Sequence, residues 1–186
     1  ENGKESVDLL VERDFGQALK MAKHINEYNE QRKDIDKQMT EEANLIVSRL
    51  ETQKHNSSIV LYDEGWKKGV IGIVASRLTE IYFRPTVVLT RDGDLATGSA
   101  RSVTGFDVYS AIKSCRDLLI NFGGHTYACG LTMKWENVKE FRDRFHQYVA
   151  EHIAPEQTEA MLNIDAMIDF KDITKQLHAD LKKFSP

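Results

Sequence analysis

The sequence predicts an α/β fold with a long linker helix in front of it. Two observations carry this reading. Between about residues 56 and 153, short apolar runs alternate with amphipathic helical patterns, as strands and helices do when they take turns. Before that, apolar side chains recur at helical spacing from Asp14 to Leu50, around a nearly all-polar middle. Apolar residues make up 41% of the chain, enough for a true core, which argues against a disordered segment.

Asp14 followed by Gln17 resembles a capping box with Asp in place of Ser or Thr, so a helix starts there. Phe15, Ala18, Leu19, Ala22, Ile25, Ile35, Met39, Ala43, Ile46 and Leu50 mark its apolar positions. Its polar stretch from Asn26 to Lys37 suits one long helix bridging two domains; the alternative is two helices broken near Asn29. Ser58 to Tyr62 reads as a strand and Gly69 to Phe83 as a helix. Pro85 then separates that helix from a buried strand, Thr86 to Thr90. Asp92-Gly93 signals a hairpin turn into a strand from Leu95 to Ser102. Asp107 caps a helix expected to reach Asn121, and Phe122 to His125 reads as a loop. A strand from Tyr127 to Lys134 and a helix capped by Asn137 and ending near His152 follow. After Pro155 the pattern predicts a strand, Leu162 to Phe170, and a helix, Asp172 to Lys183.

The longest apolar runs, such as Val87-Val88-Leu89, fall far short of the roughly 20 residues of a membrane span. No signal peptide opens the chain, so no membrane partner is expected. Glu1 and Pro186 read as cuts inside a longer protein. Cys115 and Cys129 form no C-x-x-C pair and read as reduced thiols of a cytoplasmic protein. The net charge is −4, but between Gly65 and Arg116 eight Lys and Arg oppose four Asp and Glu. That window therefore carries +4 against −8 elsewhere, and a local basic face can recruit phosphates.

Three segments have a phosphate-binding logic. In Gly65-Trp-Lys-Lys-Gly-Val-Ile-Gly72, Lys67 and Lys68 stand just before a helix start whose N–H groups suit an anion. The same glycines also serve plain helix–strand packing. In Gly98-Ser-Ala-Arg-Ser102, Ser99 and Arg101 are two apart on a strand and share a face, where hydroxyl and guanidinium make a clamp; a solvated strand end is the other reading. In Phe122-Gly-Gly-His125, Gly123 and Gly124 admit a close backbone approach, and His125 can donate to phosphate or act as a turn residue. No H-E-x-x-H and no Cys/His cluster is present, and the six histidines are dispersed, so no metal ligands are assigned.

Taken in order, Gly69 to Leu78, Arg84-Pro85-Thr86, Gly98 to Ser102, Gly105-Phe-Asp107 and Phe122 to His125 resemble the DHH-associated domain of the DHH phosphoesterase superfamily, and its RecJ-type members in particular. The resemblance implies a mixed-sheet DHH-associated domain over 56–153, a linker helix region over 1–55, and the start of an OB-like segment over 154–186. It implies the substrate-binding half of a 5′→3′ single-stranded-DNA exonuclease in DNA repair and recombination, monomeric and inactive without its DHH half. Mn²⁺ or Mg²⁺ would be bound by that DHH half, and the partner is the 5′ end of single-stranded DNA. Ser99 and Arg101, with Ser102, would hold the terminal phosphate; His125, with Gly123 and Gly124, would face the scissile one. The family usually has Trp-His where this chain has Trp66-Lys67, which leaves Lys67, beside Lys68, a purely electrostatic role. Alternatives are a DHH-family oligoribonuclease or cyclic-dinucleotide phosphodiesterase, and a non-catalytic nucleic-acid-binding module. Scaffolding through the long helix is a further one, weakened by the lack of a heptad stripe.

Overall fold

A computed structural model describes residues 3–51, 57–160 and 164–184. It opens with helix α1, Gly3–Val11, and then α2, Phe15–Glu51, which is unbroken at Asn29. The Asp14 carboxylate accepts from the Gln17 amide at 2.7 Å and caps α2 as its sequence implies. At 37 residues α2 spans about 55 Å, at a rise near 1.5 Å per residue. Residues 15–35 include no buried side chain, whereas Asp36, Met39, Thr40, Ala43 and Val47 are buried at helical spacing. Only the second half of α2 therefore packs on the domain; Phe15 is 80% exposed despite its apolar pattern.

Among the described residues one five-stranded sheet forms, ordered β1-β2-β3-β5-β4. Strand β1, Ile59–Asp63, runs parallel to β2, Thr86–Asp92, and helix α3, Ile71–Tyr82, makes the crossover. Phe83 ends α3 in the left-handed region, φ 51°, donating its N–H to Thr79. Strand β3, Leu95–Arg101, pairs antiparallel with β2 across a two-residue loop, Gly93-Asp94. Gly93 has a φ of 62° and Asp94 does not share a positive φ, so the turn follows the II′ pattern with Gly first, not the Asp-Gly I′ pattern.

The expected helix from Asp107 to Asn121 is much shorter. Asp107 caps α4, Val108–Lys113, accepting from the Tyr109 and Ser110 amides, and a 3-10 turn follows at Arg116–Leu118. Leu119–His125 is then strand β4, not a loop; it pairs antiparallel with β5, Ala128–Lys134, with a register shift between Leu119 and Asn121. Leu119, Ile120 and Phe122 favour a pleated surface, and long-range pairing with β5 overrides the local helical continuation. Helix α5, Val138–His152, closes the domain. Asn137 precedes it but caps with no side-chain bond; its Nδ2 donates to the Leu118 carbonyl at 3.0 Å instead.

The expected strand over 162–170 is not formed in its described part. Residues 164–169 have no strand pairing, Phe170–Asp172 is a 3-10 turn, and 161–163 lie outside the described residues. Among the described residues no neighbouring strand accepts its backbone bonds, and a lone strand is not stable in water. Helix α6, Lys175–Lys182, does form, capped by Thr174. Among the described residues no helix is long and apolar enough to cross a membrane.

The sheet has a core on each face. Helices α4 and α5 cover one, burying Val87, Leu89, Ala100, Leu131, Met133, Phe141 and Phe145. On the other, α2 and α3 cover Ile59, Leu61 and Val88. That second cover stops short: Gly123, His125 and Gly130, on the same face of β4 and β5, are exposed. An open sheet floor is left beside α3.

Candidate functional site

The floor and its wall follow from strand register. Ser99 on β3 pairs with Gly130 on β5, which pairs with Gly123 on β4. Arg101 pairs with Ala128, which pairs with His125. Directly paired residues share a sheet face, so Ser99, Arg101, Gly123 and His125 lie together in two adjacent rows. With strands about 4.8 Å apart, Arg101 and His125 sit about 10 Å apart across β5. Between them stand only Ala128 and Gly130, so the backbone itself forms the floor.

Arg101 is held from several directions. Its Nη1 donates to Ser99 Oγ and to the Ala100 carbonyl, each at 2.8 Å. Its Nε donates to Ser76 Oγ on α3 at 3.1 Å, and Ser76 donates on to the Gly72 carbonyl at 3.1 Å. A Cβ at position 72 would stand 3.0 Å from Arg101 Nη2 and 3.2 Å from Ser99 Oγ. Glycine there lets α3 lie against the clamp. The clamp opens into a groove of about 590 Å³ lined by Gly69, Gly72, Ile73, Ser76, Arg77, Glu80 and Arg101. A fixed guanidinium beside hydroxyls suits a phosphate or carboxylate.

His125 ends β4 on the open floor. Its Nδ1 accepts from the Tyr127 amide at 3.3 Å, so the neutral ring carries its proton on Nε2. That leaves an N–H donor on an exposed imidazole. Gly124, one residue before, approaches β5 so closely that a Cβ would stand 2.1 Å from the Ala128 carbonyl oxygen.

Other sequence-predicted residues sit apart. Lys67 and Lys68 form the turn before α3 and do not line the groove; Lys68 is 3.8 Å from Asp92. The Lys67 carbonyl already accepts from the Val70 and Ile71 amides, so the start of α3 is less open to an anion than its sequence suggests. Ser102 donates its hydroxyl to the Phe106 carbonyl at 2.7 Å and its amide to Tyr127, which makes it a turn holder beside the clamp. Among the described residues no three His, Cys, Asp or Glu side chains gather as a metal site.

Sequence reasoning missed Ser76 and Arg77, and Asp36 behind them. Ser76, Arg77 and Glu80 fall at spacings of three and four along α3, a polar stripe that helical spacing could have revealed. A separate Ser–His contact, Ser58 Oγ to His146 Nδ1 at 2.6 Å, joins β1 to α5. Burial first, and the Arg142 charge second, lower His146 to about 4. Ser58 is 2% exposed, so this pair offers no path to a substrate.

The DHHA1 domain family matches residues 42–151, from inside α2, where the helix packs on the domain, into α5. The single-stranded-DNA-specific exonuclease RecJ of Bacillus subtilis is 34% identical over 188 residues, covering all of this chain and 24% of that protein. RecJ of Salmonella typhimurium is 29% identical over 187 residues, covering 97% of this chain and 32% of that protein. The crystal structure of RecJ in complex with Mg²⁺ from Thermus thermophilus superposes with a TM-score of 0.71 at 27% identity, over 81% of this chain and 23% of that one. The chain thus spans about a quarter to a third of the length of the curated relatives it matches.

Proposed function

Because the chain belongs to the DHHA1 domain family, we propose that it is the substrate-binding half of a 5′→3′ single-stranded-DNA exonuclease. The observation that carries this reading is the shared open face: a fixed Arg101–Ser99 pair and the His125 imidazole lie in neighbouring rows over a side-chain-poor floor. Single-stranded DNA presents an anionic backbone with a terminal phosphate, and the two ends of this floor suit two successive phosphates.

In this reading Arg101 and Ser99 hold the 5′-terminal phosphate, and Ser102 steadies the turn beside them. His125 donates a hydrogen bond from Nε2–H to a non-bridging oxygen of the scissile phosphate, partly offsetting charge that grows in the transition state. Gly123 and Gly130 let the strand's backbone approach the sheet, and Gly124 sets the position of His125. Lys67 and Lys68 add a positive field near the α3 turn. RecJ structures are solved with Mg²⁺ or Mn²⁺, so the family uses divalent metal. In this reading the metal belongs to a DHH half outside this chain. When bound there, the metal supplies an activated water.

The same reading assigns 1–55 to an interdomain linker, 56–153 to the substrate-binding domain and 154–186 to the front of an OB-like fold. The exposed Ile164, Met167, Phe170 and Ile173 support the last assignment, as surfaces that a completed fold would cover. The intact protein acts as a monomer in the cytoplasm, in DNA repair and recombination.

The test is binding of the chain to 5′-phosphorylated and 5′-hydroxyl oligodeoxynucleotides of one sequence. The phosphorylated strand binds more tightly, and Arg101→Ala removes the difference. Equal binding of both strands by the wild type rejects the end-reading role in favour of a general nucleic-acid binder.

A further inference from the structure

Arg77 also lines the groove, a residue outside the clamp described above. Its Nη2 is 2.7 Å from Asp36 Oδ2 on α2. Asp36 is 5% exposed and also accepts from Thr40 Oγ1 at 3.3 Å. A buried carboxylate demands a cation, and this one fixes the angle at which Arg77 leaves α3. The Arg77 side chain is nonetheless 51% exposed, and the ion pair engages one terminal nitrogen of five N–H donors. Arg77 lines the same groove as Arg101.

A strand's terminal phosphate differs from every internal one in charge. A monoester carries about −1.5 to −2 near neutral pH, with its second ionisation near 6, against −1 for a diester. Arg101 offers one positive charge. We propose that Arg77, anchored by Asp36, is a second guanidinium on the terminal phosphate and makes the groove selective for the dianion. The inference rests on the end-reading role proposed above. Glu80 is the one carboxylate in the groove lining, exposed on the turn of α3 after Ser76. Its charge opposes any phosphate in the groove, so the two guanidiniums together must outweigh it.

The discriminating ligand is a strand capped with a 5′-methylphosphate, which keeps one negative charge and loses the other. Three oligodeoxynucleotides of one sequence are compared on the 186-residue chain near pH 7.5: 5′-phosphate, 5′-methylphosphate and 5′-hydroxyl. The wild type is expected to prefer phosphate over methylphosphate by about tenfold, the scale of one charge-assisted contact. Arg77→Ala brings that ratio close to one while methylphosphate stays ahead of hydroxyl, because Arg101 remains. Arg77→Lys, which keeps the charge without the fork, retains part of the ratio. Arg77→Ala strands a buried Asp36, so the pair Asp36→Asn with Arg77→Met, which removes both charges and keeps the stem, is measured beside it. A double variant that melts like the wild type and still discriminates tenfold overturns the inference and leaves Arg77 a structural partner of Asp36. A wild type that prefers phosphate to hydroxyl but not to methylphosphate overturns it too, with the end-reading role intact. A wild type blind to all three ends, or binding none of them, overturns both.

Discussion

The adjacent glycines of the Phe122-Gly-Gly-His125 motif are predicted to respond oppositely to alanine. At Gly124 the φ is 153°, and an added Cβ would meet the Ala128 oxygen at 2.1 Å, Cys129 Cα at 2.7 Å and Ala128 C at 3.0 Å. All three obstacles are backbone of the paired strand, so no side chain can swing aside. The strained φ alone costs about 1–3 kcal/mol, and parting the hairpin adds to it, for a total of about 3 kcal/mol or more. At about 2–4 °C per kcal/mol for a chain of this size, Gly124→Ala should melt about 6–12 °C lower. Gly123 has nothing within 4 Å of its Cβ position and no positive φ. Gly123→Ala should therefore be neutral or stabilising by about 0.5 kcal/mol, through a less flexible unfolded chain. Its methyl group nevertheless stands on the open floor between Ser99 and His125, so it should weaken strand binding without harming the fold. Thermal melts followed by circular dichroism, paired with fluorescence-anisotropy binding, separate the two effects. A Gly124→Ala protein that melts with the wild type, or a Gly123→Ala protein that unfolds early, refutes the reasoning.

Other consequences are open to measurement. His146 is neutral in the fold, with its pKa lowered from 6.5 to about 4, so the unfolded chain binds the extra proton in that window. Stability should fall as pH drops from 6.5 to 4, by about 1–2 kcal/mol once partial solvent access is discounted, and His146→Gln should flatten that slope in urea titrations. Trp66 Nε1 donates to Glu42 at 3.1 Å and ties the turn before α3 to α2. Trp66→Phe keeps the packing and should cost about 1 kcal/mol in a chemical melt. The chain alone, given Mn²⁺ or Mg²⁺, should release no mononucleotides from a 5′-labelled strand; measurable 5′-directed digestion contradicts the division of labour proposed here.

Much of the fold was legible because its signals are local. The Asp14 and Asp107 caps, the Pro85 break and the Gly93 turn each act within a few residues, and each element begins or ends near the expected place. The continuity of α2 through its polar middle was legible too, since nothing between Asn26 and Lys37 breaks a helix. Strand β4 was not. Its turn, Thr126-Tyr127, lacks the Asn-Gly or Asp-Gly signature of a hairpin, and its pairing depends on β5. The failed strand after Pro155 is the converse case, with a pattern but no partner. At the site, Ser99, Arg101 and His125 could be suspected from spacing and resemblance. Ser76 and Arg77 share a helical stripe that spacing carries, but their tie to Asp36 was not legible, because the crossing of α2 over α3 alone brings residues 36 and 77 together.

Amide and side-chain chemical shifts, followed while a 5′-phosphorylated trinucleotide is titrated into the isotopically labelled chain, test the shared face most directly. Signals from Ser99, Arg101, Gly123 and His125 should move together and saturate at one ligand concentration. Movement at Arg101 with none at His125 and Gly123, or saturation at two different concentrations, would mean that these groups do not serve one bound strand.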